Sequence, residues 1–330
     1  MSLPTALPTI PQRIELPFVA DGGTVNVYLF TEPEAVLIDA GFNSPPGWAA
    51  LEQGLAAHGV TVADLARVVI THPHVDHYGL AARIVRESQA EIWMSDVGVH
   101  WLTDFLSLWQ RRIDYYRAVL LPGLGLPTAA TERSLGWMQH TLAAWEPIPQ
   151  ERIVAFDVGQ PLWLGGLAWQ PLHLPGHDSH LTCFYQPESH QFLGSDMLII
   201  PTATPVVEAP AAGAPRAPAL PRFLHSLQRL AALSIDRVYP GHGAPFTNAA
   251  AIIHSQQTRI QERKEECYHT IAGGAETATQ LFAQLYGPRP VEASMAGLWM
   301  LLGYLDLLIA EGRVAMHEEE GVWHYRKIDD

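Results

Sequence analysis

Residues 72–77 read His-Pro-His-Val-Asp-His and follow directly on the apolar, β-branched run Arg67-Val68-Val69-Ile70-Thr71. A buried strand therefore delivers three imidazoles and a carboxylate into one short loop. In an extended loop, side chains two apart project to the same side, so His72 and His74 converge on one cation while Asp76 and His77 turn toward a neighbouring position. Two adjacent metal positions follow. Neutral imidazole and carboxylate suit borderline divalent ions, zinc first, with iron and manganese as alternatives. The only two cysteines, Cys183 and Cys267, lie far from this loop and from each other in sequence. They make no disulfide framework, which fits a reducing compartment, the cytoplasm.

The chain of 330 residues is 48% hydrophobic and 16% charged, which excludes the disordered class. Its formal net charge of -14 disfavours phosphate backbones and anionic lipid as partners. No run of about 18 apolar residues offers a membrane span, and prolines interrupt the N-terminus where a signal peptide needs a continuous apolar stretch. Strands and helices alternate. Residues 25–30 and 35–39 read as strands joined by a turn. Ser44, Pro45 and Pro46 then signal a helix start, with Trp48, Leu51 and Leu55 sharing one face. Residues 97–150 change to helical spacing and carry four of the ten tryptophans, which reads as a helical insertion. Strands return after residue 150, including a hairpin turning on Gly165-Gly166. The Pro- and Ala-rich stretch 201–221 reads as an extended loop. It is followed by a helix (222–232), a short strand (237–240) and a long helix from about 248 to 272. Two more helices (275–286 and 291–311) and two short strands around an EEEG turn end the chain.

At the 72–77 motif the sequence resembles the metallo-β-lactamase superfamily, and further segments match what that family requires: Asp39 in LIDAG, His177 in LPGHDSH, Asp196 in LGSDML and His242 in YPGHGAP. The resemblance implies an α/β, four-layer αββα sandwich, with the insertion at about 97–150 and the loop at 201–221 inside a domain spanning 1–262. Residues 263–330 are similar to the small winged-helix-like appendage of the glyoxalase-II-like and β-lactamase-like protein 2 branch. By the same resemblance His72, His74 and His177 would hold a first metal ion, Asp76, His77 and His242 a second, and Asp196 would bridge them. Asp39 would stand behind the ligands; a ligating histidine needs its other ring nitrogen anchored, and a buried carboxylate does this. His180 and Asp178 read more simply as loop residues making hydrogen bonds.

Two metals sharing a bridging oxygen bring the pKa of bound water from about 15.7 toward 7, so the expected chemistry is hydrolysis by a metal-bridging hydroxide, with Asp76 orienting it or taking its proton. The leading substrate class is a small or lipid-like ester, a thioester or lactone first. His180, Trp109, Tyr115 and Tyr116 are the candidates for the substrate pocket, although helical spacing of aromatics means burial before function. A phosphodiesterase or ribonuclease using the same two metals is the alternative, supported by Arg111, Arg112 and Arg117 and opposed by the net charge. A glutathione thioester is disfavoured because the chain has only two lysines, Lys264 and Lys327. A metal-binding regulator without catalysis is the third reading. Residues 291–311 contain no Lys or Arg, which favours packing or substrate covering over nucleic-acid readout for the C-terminal part. The partner expected is a small molecule, with self-association into a homo-oligomer as a further option.

Overall fold

The computed structural model describes residues 10–18, 23–143, 145–287 and 294–328. Its first sheet runs, in spatial order, β1 (Gln12–Phe18), β2 (Gly23–Phe30), β3 (Ala35–Ile38), β4 (Leu65–Ile70), β5 (Glu91–Ser95) and β6 (Ile153–Phe156). β1 to β3 pair antiparallel, and β3 to β6 pair parallel. The second sheet contains β7 (Leu162–Leu164), β8 (Leu167–His173), β9 (Thr182–Gln186), β10 (Gln191–Ser195) and β11 (Arg237–Pro240), antiparallel except for the parallel pair β10 and β11.

The period-two alternation of strand side chains divides the apolar residues between two cores. Tyr28, Phe30, Val36, Ile38 and Val69 from the first sheet meet Trp169, Phe184, Leu193 and Tyr239 from the second. The residues that alternate with them, among them Val27, Leu29, Leu37, Val68, Cys183 and Phe192, face outward under the helices. Both sheets are thus covered on both faces, which makes the four-layer αββα arrangement.

Local chemistry explains the connections. Helix α1 (Pro45–Ala56) starts where Ser44 caps it, the Ser44 hydroxyl accepting from Gly47 N–H at 3.1 Å, and it buries Trp48, Leu51 and Leu55. Gly165 and Gly166 take φ of 59° and 75°, the pair of positive values a tight hairpin turn requires. The histidine loop departs from a fully extended course: His74 caps a short helix, α2 (Val75–Tyr78), so Asp76 and His77 sit on a helical turn. Helices α3 (Ala81–Glu87), α4 (His100–Thr103), α5 (Phe105–Tyr115), α6 (Leu121–Gly123) and α7 (Thr128–Ala143) follow, with a wide π turn over Tyr116–Leu120 joining α5 to α6. Strand β1 was not evident in the sequence.

The Pro-rich loop is extended until α8 (Ala219–Ala231), which starts three residues earlier than its sequence signal. The C-terminal part comprises α9 (Ala249–Ala272), α10 (Ala278–Tyr286), α11 (Met295–Ala310) and a hairpin of β12 (Val314–Glu319) and β13 (Val322–Lys327). Residues 291–293, placed in the last helix from sequence, lie outside the described residues. Position 262, the division drawn from sequence, lies within α9, and one apolar core runs on from the helices beside the sheets to Leu298, Leu305 and Tyr325. Arg216 in the Pro-rich loop pairs with Asp306 of α11 through two hydrogen bonds of 2.9 and 2.5 Å. Cys183 and Cys267 are buried and free. No helix among the described residues is long and apolar enough to cross a membrane.

Trp169 is fully buried between the sheets, edge-on to Phe30 at 5.9 Å, with its indole N–H donating to Leu164 O at 3.1 Å. Trp169→Ala is expected to lower the unfolding free energy by about 3–5 kcal/mol in urea denaturation followed by circular dichroism. A loss under about 1 kcal/mol would mean that this core does not hold the sheets together.

Candidate metal centre

Four parallel-paired strands, β3, β4, β10 and β11, end on the same edge of the sandwich, and the residues just past each end converge there. Asp39, immediately after β3, adopts φ of 62°, with its N–H bonded to Val69 O at 2.9 Å. That turn points its carboxylate inward, where one oxygen accepts from Thr71 N–H at 2.8 Å. The other accepts from the Thr71 hydroxyl at 2.9 Å and from His77 Nδ1–H at 2.8 Å. Burial pushes the Asp39 pKa up, and His77 and Thr71 oppose it. Asp39 therefore fixes the strand ends and the orientation of the His77 ring at once.

Past β11, Gly241 allows the closest approach in the site. A Cβ there would lie 2.1 Å from Asp196 Oδ1 and 2.9 Å from His77 Cε1. This loop is tied to β2 by the Asn26 amide, which donates to Pro240 O at 2.8 Å and Gly243 O at 2.7 Å, and by the Tyr28 hydroxyl, which donates to Pro240 O at 2.7 Å.

The imidazoles form two groups. His72 Nε2 and His177 Nε2 face His74 Nδ1 at 3.0 and 2.9 Å. The far nitrogens of the first two rings are engaged: His72 Nδ1 with the Thr71 hydroxyl at 3.0 Å and His177 Nδ1 with Thr204 O at 2.9 Å. Three ring nitrogens thus converge on one point, more lone pairs than a single proton satisfies. Burial lowers the pKa of His72 and His74, the latter to about 3, so both are neutral as metal ligands must be. Beside them, His242 Nε2 lies 3.3 Å from Asp76 Oδ2 and 3.4 Å from Asp196 Oδ2, and His242 Nδ1 donates to Thr24 O at 2.6 Å. His77 Nε2 faces Asp196 Oδ1 at 3.5 Å and Asp76 Oδ2 at 3.7 Å. His77 Nε2 and Asp196 Oδ1 are both buried without a hydrogen-bond partner. Such orphaned atoms, facing one another in a donor set of imidazole and carboxylate, fit divalent cations. Asp196 Oδ2 also lies 3.3 Å from His177 Nε2, so one oxygen faces both groups.

A family model described as "Metallo-beta-lactamase superfamily" matches residues 20–242, a span that ends at the last of these histidines. The chain belongs to the metallo-β-lactamase superfamily. That superfamily is hydrolytic and metal-binding. The "Probable metallo-hydrolase YqjP" of Bacillus subtilis (strain 168) is 30% identical over 322 residues, covering 96% of this chain and 97% of that protein. Two crystal structures share the fold over almost the whole length. The metallo-β-lactamase family protein TTHA1429 from Thermus thermophilus has a TM-score of 0.80 at 23% identity, covering 98% of this chain and 99% of that one. A β-lactamase domain protein from Burkholderia ambifaria has a TM-score of 0.81 at 20% identity, covering 99% and 96%.

In this superfamily member His74, Asp76, His177, Asp196 and His242 floor a cavity of about 720 Å³. Of the four residues singled out from sequence for the pocket, Trp109 and Tyr116 line it. Both polar groups are committed to main chain, Trp109 N–H to Met138 O and the Tyr116 hydroxyl to Val207 O, so the rings act as apolar walls. Tyr115 lines a different cavity, with Arg216 and Asp306, and His180 a side pocket of about 230 Å³ with His100 and Trp101. His180 Nδ1 lies 3.2 Å from Asp178 Oδ1, in keeping with its reading as a hydrogen-bonding loop residue. Asp178 does more than shape that loop: its Oδ2 lies 3.6 Å from His74 Nε2, behind the ring. Arg112 of α5, Trp137 of α7, Phe18 of β1, and Met295 and Trp299 of α11 also line the main cavity; of these only Arg112 is noted from sequence, as support for a phosphodiester substrate. For Arg112 a signal existed, since it lies one helical turn after Trp109.

The two carboxylates set the proton count. Burial pulls the His242 pKa down, but Asp196 and Asp76 overcome it and push it up to about 12; His77 is raised in the same way. Asp76 falls to about 2, burial being outweighed by His77 and His242. Both imidazoles therefore hold protons at neutral pH in the metal-free protein, and a cation must displace them. Zinc titrated calorimetrically into metal-free protein, in buffers of different ionisation enthalpy, is expected to release protons and to bind more weakly as pH falls. Binding with no proton release and no pH dependence would contradict this charge arrangement.

Proposed function

We propose that the chain is a dinuclear metallohydrolase whose substrate is a small or lipid-like ester, a thioester or lactone first. In this reading His72, His74 and His177 hold one divalent ion, Asp76, His77 and His242 hold the other, and Asp196 lies between them, with zinc the leading metal. The observation that carries it is the placement of Asp196 Oδ2, 3.3 Å from His177 Nε2 and 3.4 Å from His242 Nε2. A single carboxylate oxygen facing both imidazole groups is suited to a bridging role.

Divalent ions there would bring the pKa of a coordinated water from about 15.7 toward 7 and polarise the carbonyl under attack. The chain's own residues do the rest. Asp76 is the buried carboxylate at the cavity floor that orients the attacking water and accepts its proton. Asp39, Thr204 and Thr24 hold the far nitrogens of His77, His177 and His242, so the rings cannot turn away from the reaction. Trp109, Tyr116, Trp137, Met138 and Val206 supply apolar walls that exclude bulk water and fit an acyl chain or ring.

The C-terminal winged-helix-like part, in this proposal, covers substrate. Met295 and Trp299 of α11 line the cavity, and the absence of Lys and Arg from residues 291–311 disfavours nucleic-acid readout.

Purified protein is expected to carry close to two ions per chain by elemental analysis, and Asp196→Ala to lose them; retention of both would contradict the bridge. Against acyl thioesters, lactones and bis-p-nitrophenyl phosphate, turnover of a thioester or lactone is expected, and Asp76→Asn should lower kcat by about 10²–10⁴. Turnover of the phosphodiester alone would overturn the ester assignment.

A further inference from the structure

Arg112 is a charged side chain buried to 4% exposure in the wall of the metal cavity. Its guanidinium lies 4.9 Å from the Trp101 ring centroid and 5.1 Å from that of Trp109. The two indoles hold it by cation–π attraction, but its Nε and Nη2 are buried with no hydrogen-bond partner. Glu208 shares with it the wall of the adjoining side pocket; burial raises the Glu208 pKa and the nearby Arg112 charge opposes this, but one Glu208 oxygen is spent on Ser179 N–H at 2.7 Å and no direct ion pair with Arg112 forms among the described residues. A buried cation with idle donors is costly unless something supplies the missing acceptor. Arg112 lines both the metal cavity and the side pocket, so its guanidinium forms part of the wall that an entering substrate meets.

Resting on the hydrolase reading above, we propose that Arg112 anchors a carboxylate of the substrate through the fork of its guanidinium. The ester bond would then sit over the metal centre, and a free carboxylate at the other end of the acyl group would occupy the guanidinium. A planar monoanion matches the two idle donors and a single buried charge. A polyanion is disfavoured by the chain's net charge of -14. Arg112 is thereby a specificity-determining residue.

The test uses zinc-loaded full-length protein and two pairs of probes. The first pair is S-glutaryl-N-acetylcysteamine and its methyl ester, compared by kcat/KM. The second is glutarate and monomethyl glutarate, compared by calorimetry. Both members of the second pair offer one carboxylate to the metals, so any difference reports the second carboxylate. The wild-type protein is expected to favour the free carboxylate by about 10- to 100-fold in each pair. Arg112→Met should bring both ratios close to one, and Arg112→Lys, which keeps the charge and much of the aliphatic stem, should retain only part of the preference. Equal handling of each pair by the wild-type protein, which needs no variant to observe, would overturn the proposal, as would full preference in Arg112→Met or Arg112→Lys. Arg112-dependent discrimination of glutarate with no thioester hydrolysed would sink the hydrolase reading and leave the carboxylate site standing. Hydrolysis indifferent to the carboxylate would do the reverse.

Discussion

Two carboxylates, Asp76 and Asp196, are buried against five imidazoles at one edge of the sandwich, and hydrogen bonds within the protein do not satisfy them all. Burying unpaired charge costs several kcal/mol per group, so the fold tolerates this cluster only because charge of opposite sign can be brought to it. Protons on His77 and His242 do this in part, and divalent ions would do it fully. The scaffold holds the cluster open instead of letting it collapse into ordinary ion pairs. Asp39, Thr71, Thr24 and Thr204 engage the far sides of the rings. Gly241 leaves room for Asp196 where any side chain would evict it.

That arrangement depends on the two-core architecture. Parallel pairing of β3 with β4 and of β10 with β11 places four strand ends on one edge, and alternation sends successive residues into different cores up to those ends. The functional side chains begin where the alternation stops. Asp39 with its positive φ, Thr71 and Asp196 are the first residues past the strand ends, so the sheets position them with little loop freedom.

The cluster was readable in sequence for the same reason: each segment is a strand-like apolar run followed within a few residues by Asp or His. The α1 cap at Ser44 and the Gly165-Gly166 hairpin were equally local signals. What escaped was set by geometry without a local signature. Strand β1 holds Pro17, which reads as a breaker but is tolerated because β1 is an edge strand paired only with β2. Tyr116 lines the metal cavity while its neighbour Tyr115 faces α11, because consecutive helical residues point about 100° apart and only one of two adjacent tyrosines can face a given cavity. Met295 and Trp299 reach the cavity from a helix distant in sequence, and Arg112, read from sequence only together with Arg111 and Arg117 as support for a phosphodiester substrate, lies buried between two indoles.

The central claim is that side chains from four separated stretches enclose a pair of cations, and anomalous scattering addresses it without reference to any substrate. Diffraction from zinc-grown crystals on either side of the zinc absorption edge is predicted to give two anomalous peaks about 3.5–4 Å apart. One should lie among His72, His74 and His177, the other among Asp76, His77 and His242, with Asp196 between. No peak inside the cluster, or His177 and His242 turned away from the 72–77 loop, would contradict the account.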